Sequence, residues 1–109
     1  MKFVLFTFVN MEKSALFTQL YKDYNSFKNQ EISGRYIRQK DIQVLLDKLG
    51  EEFSLKEIGA SVLGKPIHSI QFGKGTIKIL AWSQMHGNES TTTKAVFDLL
   101  NYMNKYKES

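Results

Sequence analysis

The sequence predicts an α/β protein, a partial mixed sheet with flanking helices, because its apolar residues change period along the chain. Between residues 13 and 49 they recur at steps of three and four. From 67 to 72 they alternate, and after residue 90 the helical spacing returns. These periods correspond to one face of a helix and one face of a pleated strand.

Leu16, Phe17, Leu20, Tyr21, Tyr24 and Phe27 form one helical face, with Lys22, Asp23, Lys28 and Asn29 outside it, and Ser33-Gly34 breaks the pattern. Asp41 to Leu49 reads as a second helix through Ile42, Leu45, Leu46 and Leu49, with Asp41 placed to cap it and Gly50 to end it. Phe53 to Leu63 alternates in part, interrupted by Gly59, and Gly64-Lys65-Pro66 signals a turn. In the next stretch Ile67, Ser69 and Gln71 oppose His68, Ile70 and Phe72, as in a half-buried strand. Gly73-Lys74-Gly75 supplies a tight connection, since glycine reaches positive φ cheaply. Thr76 to Trp82 is nearly all apolar and predicts an interior strand covered on both faces. A last helix runs from about Ser90 to Lys105, capped by Ser90 or Thr91, with Ala95, Val96, Leu99, Leu100, Met103 and Tyr106 as its apolar stripe. Three strands are few for so apolar a central one, so more sheet is expected downstream.

The 109 residues, 42% hydrophobic and 24% charged, suit one small domain. With no cysteine, disulfides and thiolate metal sites are excluded. The net charge of +4 comes from 15 basic and 11 acidic residues spread along the chain. Its densest piece, Arg35, Arg38 and Lys40, is too short for a nucleic-acid stripe, and solvated faces explain it better. Lys2 and the apolar run Phe3 to Val9 have the look of a signal peptide, but the run is short and no small-residue cleavage motif follows. A hydrophobic strand or a loose leader fits better, and Met11 is an alternative start. No stretch has the length of a membrane span. The compartment is left open, with the cytoplasm slightly favoured over export.

The chemistry lies in WSQMHGNES, residues 82 to 90, which joins the strongest predicted strand to the last helix. Ligands in α/β folds gather at the carboxyl ends of strands. His86 and Glu89 offer an imidazole and a carboxylate, the donor types of two-His-one-Glu zinc sites, and Gly87 between them lets the backbone turn both toward one ion. A bare His-x-x-Glu is a weak signal. Glu89 also suits a helix N-terminus electrostatically, and His86 suits a hydrogen bond to a loop carbonyl. His68 reads as a strand-surface or rim residue, so two ligands stand where catalytic zinc sites normally have three.

The wider sequence resembles the M14-type zinc carboxypeptidases. Gly59-Ala60-Ser61-Val62-Leu63-Gly64-Lys65-Pro66-Ile67 looks like the motif before that family's second strand, and Gly73-Lys74-Gly75 like the turn after it. Thr76 to Trp82 looks like the strand leading to the first zinc motif, and His86-Gly87-Asn88-Glu89 like the motif itself. The string WSQMHGNESTTTKAVFDLLNYM is similar to a bacterial subgroup. The resemblance covers about residues 50 to 105, and residues 13 to 49 look like that subgroup's amino-terminal helical extension. It implies an amino-terminal leader and helical extension over residues 1–49. Residues 50–109 would begin a zinc-carboxypeptidase-like α/β domain, truncated here.

The implied activity is zinc-assisted hydrolysis of a peptide or related small amide at a chain terminus, with His86 and Glu89 as metal ligands. The family also needs a second histidine ligand, a basic group for the substrate carboxylate and a glutamate general base, all later in the chain. No histidine follows Glu89; Asp98 reads as solvent-facing, Glu108 stands one residue from the end, and Arg35 and Arg38 do not match the substrate-binding position. The expectation is therefore an amino-terminal fragment of a metallocarboxypeptidase, itself inactive, with no catalytic residue assigned. The competing reading is a non-enzymatic relic that binds a partner protein through an exposed sheet edge. A small basic nucleic-acid module ranks last.

Overall fold

In the computed structural model, residues 13–106 are described. The apolar run Phe3 to Val9, Met11 and Glu108 lie outside them. The elements are α1 (Lys13–Phe27), α2 (Gln39–Leu46), β1 (Ser54–Ala60), β2 (Pro66–Gln71) and α3 (Thr91–Lys105). The strands form one small antiparallel sheet, and the helices flank it. No helix among the described residues is long and apolar enough to cross a membrane.

The sheet follows from the alternation and from its turn. Ser54 pairs with Gln71 and Ala60 with Pro66, with a bulge between Glu57 and Gly59 where the sequence pattern is interrupted. The turn is closed by Ser61 N–H to Lys65 O at 2.8 Å and Gly64 N–H to Ser61 O at 2.8 Å. Gly64 sits at φ 69°, a conformation that only glycine adopts without strain. On β2 the inner residues are Ile70, 1% exposed, and beyond the strand Phe72, whose ring lies 4.9 Å from that of Phe53.

The core joins Ile32, Ile37, Ile42, Leu45, Leu46, Phe53, Ile70, Phe97, Leu100 and Met103. It draws on residues from both sides of position 50. On α2 the capping differs from the sequence expectation. Arg38 occupies the N-cap, and Asp41 sits three residues inside, where its Oδ2 accepts from Arg38 N–H at 2.9 Å and Nε at 3.2 Å. On α3 the inner stripe is Thr93, Phe97, Leu100 and Met103, with Val96 and Leu99 half-buried and Ala95 exposed. The true stripe is thus rotated toward Phe97, because that ring fills the space beside α2 and the sheet.

Two further differences concern coverage. The apolar face of α1 is mostly open: Phe27 is buried, but Phe17 and Tyr21 are exposed, Tyr21 to 87%. Near its C-terminal end the helix meets α3 through the Phe27 ring, 5.1 Å from that of Tyr102, and through polar contacts. Asp98 is not merely solvent-facing: its Oδ1 accepts from Asn29 N–H at 2.6 Å and its Oδ2 from the Tyr24 hydroxyl at 2.9 Å. Asn101 Nδ2 donates to Phe27 O at 3.0 Å, and the Tyr106 hydroxyl donates to Asp23 at 2.9 Å.

The second difference is larger. Thr76 to Trp82 is not a strand, and Gly73-Lys74-Gly75, with Gly73 at φ 84°, does not close a hairpin. Ile77 is 73% exposed and Trp82 48%. An interior strand needs a hydrogen-bonding edge on each side. Among the described residues β2 pairs only with β1, and no strand pairs with Thr76 to Trp82. An apolar run records a capacity for burial; the neighbours that would bury it are a separate requirement.

Candidate metal centre

The loop from Ser83 to Ser90 is built by what holds its two ends. At its start, Gln84 adopts φ 55°, the one positive value at a non-glycine among the described residues. A left-handed residue with a Cβ costs about 1 kcal/mol or somewhat more, so surrounding contacts must stabilise it. Gln84 Nε2 donates to Ile37 O at 2.8 Å and to Gly87 O at 2.9 Å. Its Oε1 accepts from Thr93 Oγ1 at 2.8 Å. An amide has two N–H donors and one carbonyl oxygen, and all three groups are engaged. Thr93 is completely buried, so its hydroxyl requires these partners. Ser83 Oγ, 3.1 Å from Thr93 Oγ1, completes the cluster.

At the other end, Ser90 occupies the N-cap of α3 but makes no cap bond; its hydroxyl donates to Arg35 O at 2.6 Å. Lys94 Nζ donates to Gly34 O. Three carbonyls of the segment before α2, at Gly34, Arg35 and Ile37, therefore receive side chains from the loop and the first turn of α3. This fastening brings the backbone of Arg35 against the loop. The expectation that Ser90 or Thr91 caps α3 by side chain is replaced by this tether.

Between the fastened ends stand the two sequence-expected ligands. Glu89 N–H bonds to His86 O at 3.0 Å, a turn that brings both side chains to the same side. His86 Nδ1 lies 3.0 Å from Glu89 Oε2, and the side chains are 67% and 66% exposed. Exposed ion pairs contribute about 0–1 kcal/mol, so a cation that displaced this contact would lose little. Tetrahedral zinc with bonds of about 2.0–2.2 Å places two donor atoms roughly 3.4 Å apart. The observed 3.0 Å needs to open by only a few tenths of an ångström, so the donor types and spacing fit two zinc ligands. A third is not present: among the described residues no three His, Cys, Asp or Glu side chains come together as a metal cluster. His68, read from the sequence as a strand-surface or rim residue, lies half-buried on β2.

Beneath the loop is a cavity of about 200 Å³, lined by Ile37, Ile42, Ser83, Gln84, Gly87 and Thr93 among others. The sequence reading missed Gln84 and Thr93 as parts of this site. The signal available was slight: a threonine in a helix's first turn, facing the core rather than water. No protein-family model, characterised protein or solved structure matches the chain.

Proposed function

We propose that the chain is the amino-terminal part of a zinc-dependent metallocarboxypeptidase that hydrolyses terminal peptide or related amide bonds, and that these 109 residues are inactive by themselves. The observation that carries the reading is the 3.0 Å approach of His86 Nδ1 to Glu89 Oε2, within a motif that resembles the first zinc motif of the M14-type enzymes. In this reading His86 and Glu89 supply two ligands, and a further histidine ligand and a glutamate base come from outside the chain. Zinc bound there would polarise the scissile carbonyl and lower the pKa of a bound water. The role left to this chain's residues is to hold and orient. The loop is clipped at Gln84 and tethered at Ser90, so its two donors are already turned toward each other before metal arrives.

The exposed Thr76 to Trp82 stretch supports the carboxypeptidase-like domain as well, since further strands on either side would give it the burial that its composition calls for. The same stretch is what favours the second reading, a protein-interaction module without catalysis, in which a partner's strand supplies the cover.

The reading is tested by expressing the reading frame with its continuation past Ser109 and assaying release of carboxy-terminal residues from peptides. Zinc-dependent release that is abolished by His86→Ala supports it. A continuation without histidine and glutamate motifs, or release indifferent to His86→Ala, sinks it.

A further inference from the structure

We propose that Gln84 is a positioning residue that sets the spacing of His86 and Glu89 by pinning their loop, at the Gly87 carbonyl, to the segment before α2. That the positioned side chains are metal ligands rests on the proposed function; the pinning itself rests on geometry alone. Gly87 lies between the two side chains, and a Cβ built on it would meet nothing within 4 Å. That side of the loop is open, and Gly87 lines the roughly 200 Å³ cavity. The amide of Gln84 spans that gap, with one N–H on Gly87 O at 2.9 Å and the other on Ile37 O at 2.8 Å. Thr93, fully buried in the core, fixes which way the amide points by donating to Oε1. The left-handed backbone of Gln84 aims the side chain back over its own loop. A glycine would hold that backbone conformation more easily, so a glutamine in this place indicates that the side chain is what is needed.

This separates backbone from amide by experiment. Gln84→Gly keeps the φ and removes the clip. Hydrogen exchange by NMR on the metal-free protein reads the Glu89 amide, which bonds to His86 O, against the Phe97 and Leu100 amides of α3. The Glu89 amide is expected to exchange about tenfold faster or more, with the α3 amides unchanged. Thr93→Val, which frees the amide's orientation, should do the same to a lesser degree and decides the question if Gln84→Gly fails to fold. Unchanged Glu89 exchange overturns the proposal, and so does equal acceleration at Phe97 and Leu100, which would make Gln84 a general stability residue. A parallel zinc titration followed by NMR should show weaker binding in Gln84→Gly than in wild type. Zinc shifts equal in wild type and His86→Ala would remove the ligand reading, while the exchange result would still decide the pinning.

Discussion

Gln84 and Ile37, 47 positions apart, are joined by a 2.8 Å hydrogen bond from the glutamine amide to the isoleucine carbonyl. Through that bond the loop bearing His86 and Glu89 is referred to α2 and hence to the core, where Ile37 and Ile42 are buried. A pair of exposed donors, worth little to stability by their own contact, thereby acquires a defined geometry.

Removing the carboxylate that docks α1 should loosen that helix alone. Asp98→Ala deletes the acceptor for Asn29 N–H and the Tyr24 hydroxyl. We expect a loss of about 1–3 kcal/mol in chemical denaturation, with exchange protection falling first in α1.

The same contact predicts behaviour in alkali. The hydrogen bond to Asp98, with burial adding to it, raises the Tyr24 hydroxyl above its ordinary value of about 10. A group whose folded pKa is raised stabilises below its unfolded pKa, and that contribution disappears as pH rises through the folded value. Docking of α1 should therefore hold through neutral pH and weaken above about pH 10. Absorbance titration of wild type against Tyr24→Phe checks this: the variant should lose a share of the tyrosinate signal that titrates above the ordinary tyrosine range.

At α2 the sign is opposite. The Arg38 backbone N–H, then its side chain, lowers the Asp41 carboxyl below 3.8. The contribution is present above the unfolded value and is lost as pH falls through the lowered one. Between pH 7 and pH 5 this helix start should be unchanged. Below about pH 4 its first-turn amides should lose protection relative to their intrinsic exchange at that pH, and Asp41→Ala should show that loose start at every pH.

The exposed apolar stretch gives a contrast in magnitude. Ile77→Ser and Leu80→Ser change residues open to solvent and should alter the stability of this chain by no more than about 0.5 kcal/mol. Phe97→Ala empties a fully enclosed site and should cost about 3–5 kcal/mol. Urea denaturation compares them, and a large loss at Ile77 would mean that the stretch is covered after all.

Local features were legible where one element decides them. The alternation around Ile70 gave β2, Gly64 gave its turn, and steps of three and four gave all three helices. What depends on a partner element was not legible. The Thr76 to Trp82 run has the composition of an interior strand, but composition does not supply a neighbouring edge. Asp98 follows the polar side of a helical wheel, yet it faces the end of α1, whose position no local pattern encodes. In the candidate site, His86 and Glu89 were readable because their donors stand three residues apart and the turn between them is local. Gln84 was not, because its partners at Ile37 and Thr93 are brought to it only by the packed core.

The central claim, that His86 and Glu89 are metal ligands, is tested most directly by isothermal titration of Zn²⁺ into wild type, His86→Ala and Glu89→Ala. The expected result is weak binding in wild type, as two ligands permit, reduced by about tenfold or more by either substitution. Tight one-to-one binding that neither substitution changes would contradict it.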